Sequence, residues 1–249
     1  MRGDGEQALL SVRGLHKAFG GLVAVRDLSF DIPRSGIMGL IGPNGSGKTT
    51  VLNLITGELR PDAGEVVFSG ADIAGWPSFQ ICRSRIARTF QLVRVLPFMT
   101  ARENVMLGRM FGSEPTDPRR GAREADVLLD RVGLGGRGAI PAMSLTYIDQ
   151  KRLELARALA CRPVLLLLDE WLAGLNPAEL QTGMELVRRI SRDGVTIVMV
   201  EHVMEAIRAL CDRMLVMNAG ERIAEDTPDR VLSDPGVTRA YLGADDAAD

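Results

Sequence analysis

Cysteine, aromatic residues and net charge are all scarce in this chain, and each shortage closes off a class of function. Cys82, Cys161 and Cys211 lie far apart, no pair has the spacing of a metal clamp, and an odd number is a poor disulfide framework. Free thiols in a reducing cytosol are the expectation. A net charge of −2 gives no reason to look for nucleic acid or an anionic lipid surface as the main partner. No segment approaches the ~20 apolar residues of a membrane span, and residues 1–6 have no apolar stretch of a secretory signal. Any membrane role is therefore expected to come through partner subunits. What is present is ordinary for a globular protein: 46% apolar and 25% charged residues over 249 positions, enough for one large domain.

Residues 9–12, 23–32 and 65–68 read as strands, broken by Gly20-Gly21, Pro33 and Gly64. Residues 36–41 form a short apolar strand that runs into a glycine-rich loop, and a helix follows over 49–55. From about 77 to 131 the pattern is mostly helical and rich in arginine, which suggests an inserted helical subdomain. Helix is expected over 149–160, 179–191 and 203–210, and strand over 164–168, 195–200 and 213–217. The 164–168 run is apolar throughout, as in a parallel strand buried on both faces. This alternation predicts an α/β fold with a mostly parallel sheet. The acidic end, 243–249, is expected to be a disordered tail.

Gly42-Pro43-Asn44-Gly45-Ser46-Gly47-Lys48-Thr49 has a glycine, four residues, then glycine-lysine-threonine, between a strand and a helix. Glycines let backbone amides converge on phosphate oxygens, and the following helix, with Thr50 in its first turn, turns its positive end to the same anion. Lys48 is expected to meet the β- and γ-phosphates and the Thr49 hydroxyl to bind magnesium. ATP with Mg2+ is therefore the expected ligand. The strand at 164–168 delivers Asp169 and Glu170 to its carboxyl end, the edge where open α/β sheets bind ligands. Asp169 is expected to hold magnesium through water, and Glu170 to orient or deprotonate the attacking water.

The loop at Gly42, Gln91 within Arg88-Thr89-Phe90-Gln91, the Asp169-Glu170 pair and His202, in that order, resemble the ATP-binding cassette (ABC) ATPases over nearly the whole chain. The resemblance is nearer to the ATPase subunits of branched-chain amino-acid importers. It rests on Phe19-Gly20-Gly21-Leu22-Val23-Ala24-Val25, on 52–57, on Ala173-Gly174-Leu175-Asn176-Pro177, and on 224–228 with 241–243. It implies a P-loop ABC ATPase fold spanning 9–242. Within it, an N-terminal antiparallel β subdomain and a parallel core (9–90 and 158–232) would flank a helical subdomain (91–157). Phe19 would stack on adenine; a core aromatic is the other reading. Gln91 would reach magnesium and water and join the two lobes, and His202 would contact the γ-phosphate. His16 has no such support and reads as a surface turn residue.

The resemblance further implies a head-to-tail dimer with an identical or different ATPase subunit, transmembrane permease subunits, a solute-binding protein, and a place on the cytoplasmic face of the inner membrane. The function implied is energising import of branched-chain amino acids or related small solutes. An exporter of the lipid-extracting kind, a weakly hydrolysing regulatory protein and a soluble cassette acting on nucleic acid are the alternatives. The absence of a tandem cassette or coiled-coil insertion disfavours the last.

Three positions depart from the family. The signature leucine-serine-glycine-glycine-glutamine stands here as Leu145-Thr146-Tyr147-Ile148-Asp149. Thr146 keeps a hydroxyl toward the partner's γ-phosphate. Ile148 is β-branched and unsuited to positive φ. Either ATP sandwiching is altered, or Tyr147 and Ile148 pack on a neighbour and the site works through Thr146. Trp171 replaces a proline and is expected to add apolar surface near the dimer contact, and Asn176 replaces an aspartate. The arginines from 83 to 123 read as a solvated helical face. Residues 95–99 are either helical-lobe core or a seat for a short helix of the membrane subunit.

Overall fold

Alternating burial builds the first layer. Leu10, Val12 and Leu15 of β1 (Leu10–Phe19) point inward while Arg13 faces out. β1 pairs antiparallel with β2 (Leu22–Ile32) and β4 (Ala63–Phe68), and β5 (Ala71–Asp72) extends this sheet to the order β2-β1-β4-β5. His16 lies inside β1 opposite Ala63 and is half-buried, so the turn expected there is a strand. The computed structural model describes residues 8–237 and 239, so the acidic tail and the 241–243 stretch lie outside the described residues.

The second layer is a six-stranded sheet in the order β10-β9-β3-β8-β7-β6. Its members are β3 (Ile37–Ile41), β6 (Ile86–Arg88), β7 (Leu165–Asp169), β8 (Thr196–Val200), β9 (Arg213–Asn218) and β10 (Glu221–Asp226). All neighbours pair parallel except β9 and β10. Both faces are covered, which explains the unbroken apolar runs. In β7, Leu165 and Leu167 pack toward the antiparallel sheet and α1 (Lys48–Ile55), while Leu166 and Leu168 pack toward the helices.

The third layer holds α3 (Ala101–Phe111), α4 (Pro118–Arg131), α5 (Tyr147–Ala160), α6 (Pro177–Arg192) and α7 (Met204–Leu210), with α8 (Pro228–Leu232) beside β9 and β10. Thr100 and Glu103 form a capping box at α3, and Asp117 with Pro118 starts α4. The arginine-rich stretch is not all helical lobe. α2 (Ser78–Arg83) leads into β6, which pairs with β7, so the part before Thr89 belongs to the sheet. No helix among the described residues is long and apolar enough to cross a membrane.

Candidate functional site

Parallel pairing brings four strand ends to one edge. β3 ends in the loop at Gly42, β6 leads to Gln91, β7 ends at Asp169 with Glu170 next, and β8 leads to Glu201 and His202. Asp169 stands beside Val200 in register, which places the paired acids next to the histidine segment.

The loop's glycines are required by contact as well as by φ. Gly42 has φ +151°, and a Cβ there would lie 2.1 Å from the Met217 carbonyl oxygen. Gly47 has φ +100°, and its Cβ would meet the Ala24 carbonyl oxygen at 2.3 Å. Gly47 caps α1 without any side-chain hydrogen bond, so the first-turn amides are left for an anion. Lys48 is buried and donates from Nζ to the carbonyls of Gly42 (2.8 Å) and Pro43 (2.9 Å). Burial lowers its pKa, opposed by the charges of Glu170 and Asp169. Pro43, Asn44, Gly45 and Ser46 complete the loop, with Ser46 Oγ 3.4 Å from Lys48 Nζ. The Thr49 hydroxyl has no protein partner among the described residues.

Glu170 is the centre of a short network. Its Oε2 accepts from Gln91 Nε2 at 2.7 Å, and its Oε1 lies 2.9 Å from His202 Nε2. Its backbone is left-handed, φ +50°, and its N–H donates to Val200 O at 2.8 Å. Such a conformation costs on the order of 1 kcal/mol and persists where the surroundings impose it. Gln91 and His202, widely separated in sequence, thus meet on one carboxylate.

Asp169, expected to hold magnesium through water, has a protein partner on one carboxylate oxygen. Its Oδ2 is paired with Arg88 Nη2 at 2.6 Å, and both side chains are almost wholly buried, 3% and 4% exposed. Arg88 Nη1 also reaches Asn53 Oδ1 on α1 at 2.6 Å. By sequence Arg88 reads as part of a motif and of a solvated arginine face, and its pairing with Asp169 emerges only in the fold. The clue was its position three residues before Gln91 on the same strand exit.

Two buried charges on α5 likewise emerge only in the fold. Lys151 Nζ donates to the carbonyls of Trp171 (3.1 Å) and Ala173 (2.8 Å), holding the segment after Glu170. Glu154 accepts from the amides of Phe90 (3.2 Å) and Arg94 (2.8 Å), holding the segment that carries Gln91. Both sit in a helix most of whose residues are buried, where a charged residue signals a specific partner. Burial lowers the Lys151 pKa and raises that of Glu154. Glu201 accepts from Leu172 N at 2.6 Å, and burial pushes it up to about 7.

Phe19 is 46% exposed at the end of β1, beside Lys17, so the core-aromatic reading is set aside. Thr146 is the N-cap of α5, accepting from Asp149 N and donating to Asp149 Oδ2 at 2.9 Å. No hydrogen bond joins it to the phosphate loop among the described residues. Thr50 is half-exposed on α1.

Ile148 does not need positive φ: it is an ordinary helical residue in the first turn of α5. Its side chain lines a cavity of about 240 Å³ with Trp171 and Leu175. Trp171 is 2% exposed and donates from Nε1 to Lys151 O at 3.2 Å, so it adds core rather than the exposed contact surface expected. Tyr147 is exposed, near Lys151. Asn176 caps α6 in a box with Glu179. The departures at Ile148 and Trp171 therefore pack around one cavity. Ile148→Gly is expected to lower stability by about 1–2 kcal/mol through helix propensity and lost packing, with ATPase activity within about twofold of wild type. Urea unfolding and a turnover assay check both; a large rise in turnover would show that Ile148 obstructs the nucleotide sandwich.

A family model described as "ABC transporter" matches residues 25–173, and one described as "Branched-chain amino acid ATP-binding cassette transporter" matches 221–247. The chain is 39% identical to the high-affinity branched-chain amino acid transport ATP-binding protein LivG of Escherichia coli, over 95% of this chain and 98% of that one. It is 37% identical to BraF of Pseudomonas aeruginosa, named for the same transport, over 94% and 98%. The ADP conformation of the cassette MJ1267 superposes with a TM-score of 0.85 at 30% identity, covering 95% of this chain and 99% of that one. A dimeric cassette, MJ0796 in a post-hydrolysis state bound to ADP and Pi, gives 0.79 at 25% identity, covering 88% and 98%.

Proposed function

The chain belongs to the ATP-binding cassette family of ABC transporter ATPases, and from that premise we propose that it powers uptake of branched-chain amino acids or related small solutes. It is the nucleotide-binding, ATP-hydrolysing subunit of an ABC importer. The observation that carries the catalytic assignment is the meeting of Gln91 and His202 on Glu170.

ATP enters with its phosphates on the amides of Gly45 to Thr50 and its adenine on Phe19. Lys48 exchanges the loop carbonyls for phosphate oxygens. Thr49, Asp169 and Gln91 are hard oxygen donors of the kind magnesium takes, and the unpartnered Thr49 hydroxyl fits that role. Magnesium there would neutralise charge on the β- and γ-phosphates. Arg88 holds Asp169 in place and ties it to α1 through Asn53, so the phosphate-loop helix and the acid move as a unit. Glu170 takes a proton from the attacking water, Gln91 positions that water, and His202 steadies the carboxylate and the γ-phosphate.

Helix α5 supplies the coupling. It begins at Thr146, which would face the nucleotide of a second cassette, and grips the Glu170 segment through Lys151 and the Gln91 segment through Glu154. The partners are that second cassette, permease subunits in the membrane and a solute-binding protein, with this chain on the cytoplasmic face. The permease contact is the groove beside Gln91, a cavity of about 340 Å³ lined in part by Phe90, Leu107 and Phe111. Phe98, 88% exposed, and Leu96 project on the nearby segment, which speaks for a docking seat over a core role. Reconstitution with permease and solute-binding subunits that co-purify with it, followed by ATP-dependent leucine uptake into vesicles, tests the cargo. Uptake of another solute class with none of leucine would overturn it.

A further inference from the structure

Cys82 lies in α2 and Cys161 directly follows α5, yet their Sγ atoms are 3.5 Å apart. Cys82 is half-buried and Cys161 buried, and both line the groove beside Phe90. A reachable sulfur in contact with a second, sheltered one is the arrangement of an attacking and a resolving thiol. We propose that Cys82 and Cys161 are a site of oxidative modification, a dithiol that hydrogen peroxide converts to a disulfide pinning α2 to the end of α5.

The chemistry balances in two steps. The Cys82 thiolate attacks one peroxide oxygen; an S–O bond forms, the O–O bond breaks, and the departing hydroxide takes the Cys82 proton as water. Cys161 then attacks the sulfenic sulfur of Cys82. The S–S bond forms, the S–O bond breaks, and the second hydroxide leaves as water with the Cys161 proton. Two thiols and one peroxide give one disulfide and two waters. The order follows from the surroundings. The hydrogen bond with Cys161 draws the Cys82 thiol below its ordinary range against the effect of burial, with Arg83 assisting. The same bond, and then burial, push Cys161 up. Closing from 3.5 Å to a bond of ~2.0 Å needs only a small approach of α2 to the α5 terminus. Cys211 is an internal control, buried away from this pair and pushed up to about 12 by burial.

The bridge fixes one wall of the groove assigned above to a permease segment. That consequence rests on the docking assignment; the disulfide does not.

The test treats the full chain with hydrogen peroxide and maps peptides without reduction. The expected result is a Cys82–Cys161 linked peptide, opened by dithiothreitol, with Cys211 still a free thiol. Cys82→Ser is expected to abolish the bridge and leave Cys161 unoxidised. Accumulation of Cys82 sulfinic acid beside a free Cys161, or oxidation of Cys211 as fast as Cys82, would overturn the proposal. In the reconstituted transporter Cys82 is expected to oxidise several-fold more slowly. An unchanged rate there, with the bridge intact in the isolated chain, would overturn the docking assignment and leave the dithiol standing.

Discussion

Glu170→Gln is expected to lower kcat for ATP hydrolysis by about 10²- to 10⁴-fold, the span of general base catalysis. Nucleotide affinity should stay within about threefold, because the phosphates are held by loop amides and Lys48 rather than by this carboxylate. The substitution keeps the side chain's length and one acceptor oxygen for Gln91 or His202, while the other contact faces an N–H donor. What it removes is the ability to accept a proton. Loss of kcat with retained affinity therefore separates a base from a merely structural acid. A rate within about twofold of wild type would move the proton acceptor elsewhere.

Arg88→Met should have the largest effect on stability. The Arg88–Asp169 pair is buried on both sides, and deleting the cation leaves a buried carboxylate without its ion-pair partner. Breaking a buried pair in this way costs about 3–5 kcal/mol. The loss extends to the link with Asn53, so α1 should also loosen against β6. Adding Asp169→Asn removes the stranded charge. The double variant is expected to be more stable than the sum of the single losses by about 1–3 kcal/mol, as measured by urea unfolding in a double-mutant cycle. Strict additivity would mean that the two side chains do not act together. Arg88→Lys should not restore the full pair, since an ammonium cannot bridge Asp169 and Asn53 with one planar fork.

Much of the site was legible because its chemistry is written in residue types with few other uses. A loop that places glycines at Gly42 and Gly47, where a Cβ would strike a carbonyl, leaves a pattern readable without coordinates. An apolar run ending in two acids likewise marks a buried parallel strand, and β7 is one. The parts that were not legible depend on long-range packing. β6 is three residues long inside an arginine-rich stretch, and only its pairing with β7 makes it a strand. β10 is polar and largely accessible, with little periodic signal. Arg88 reads as surface charge, and Lys151 and Glu154 attract no reading, because their partners lie 81, 22 and 60 residues away in sequence. Ile148 and Trp171 looked like separate anomalies until one cavity joined them. Stiffness against positive φ was the wrong test for Ile148, since the helix begins before it.

The central claim is that the amides of the Gly42 loop, with Lys48, hold the phosphates of ATP. Isothermal titration of ATP with magnesium into the folded chain tests it most directly, with Lys48→Ala as the comparison. One saturable site per chain is expected, with affinity lost or severely weakened in the variant while its unfolding transition remains. Absence of any saturable heat from the wild-type chain, or equal binding by both proteins, would contradict it.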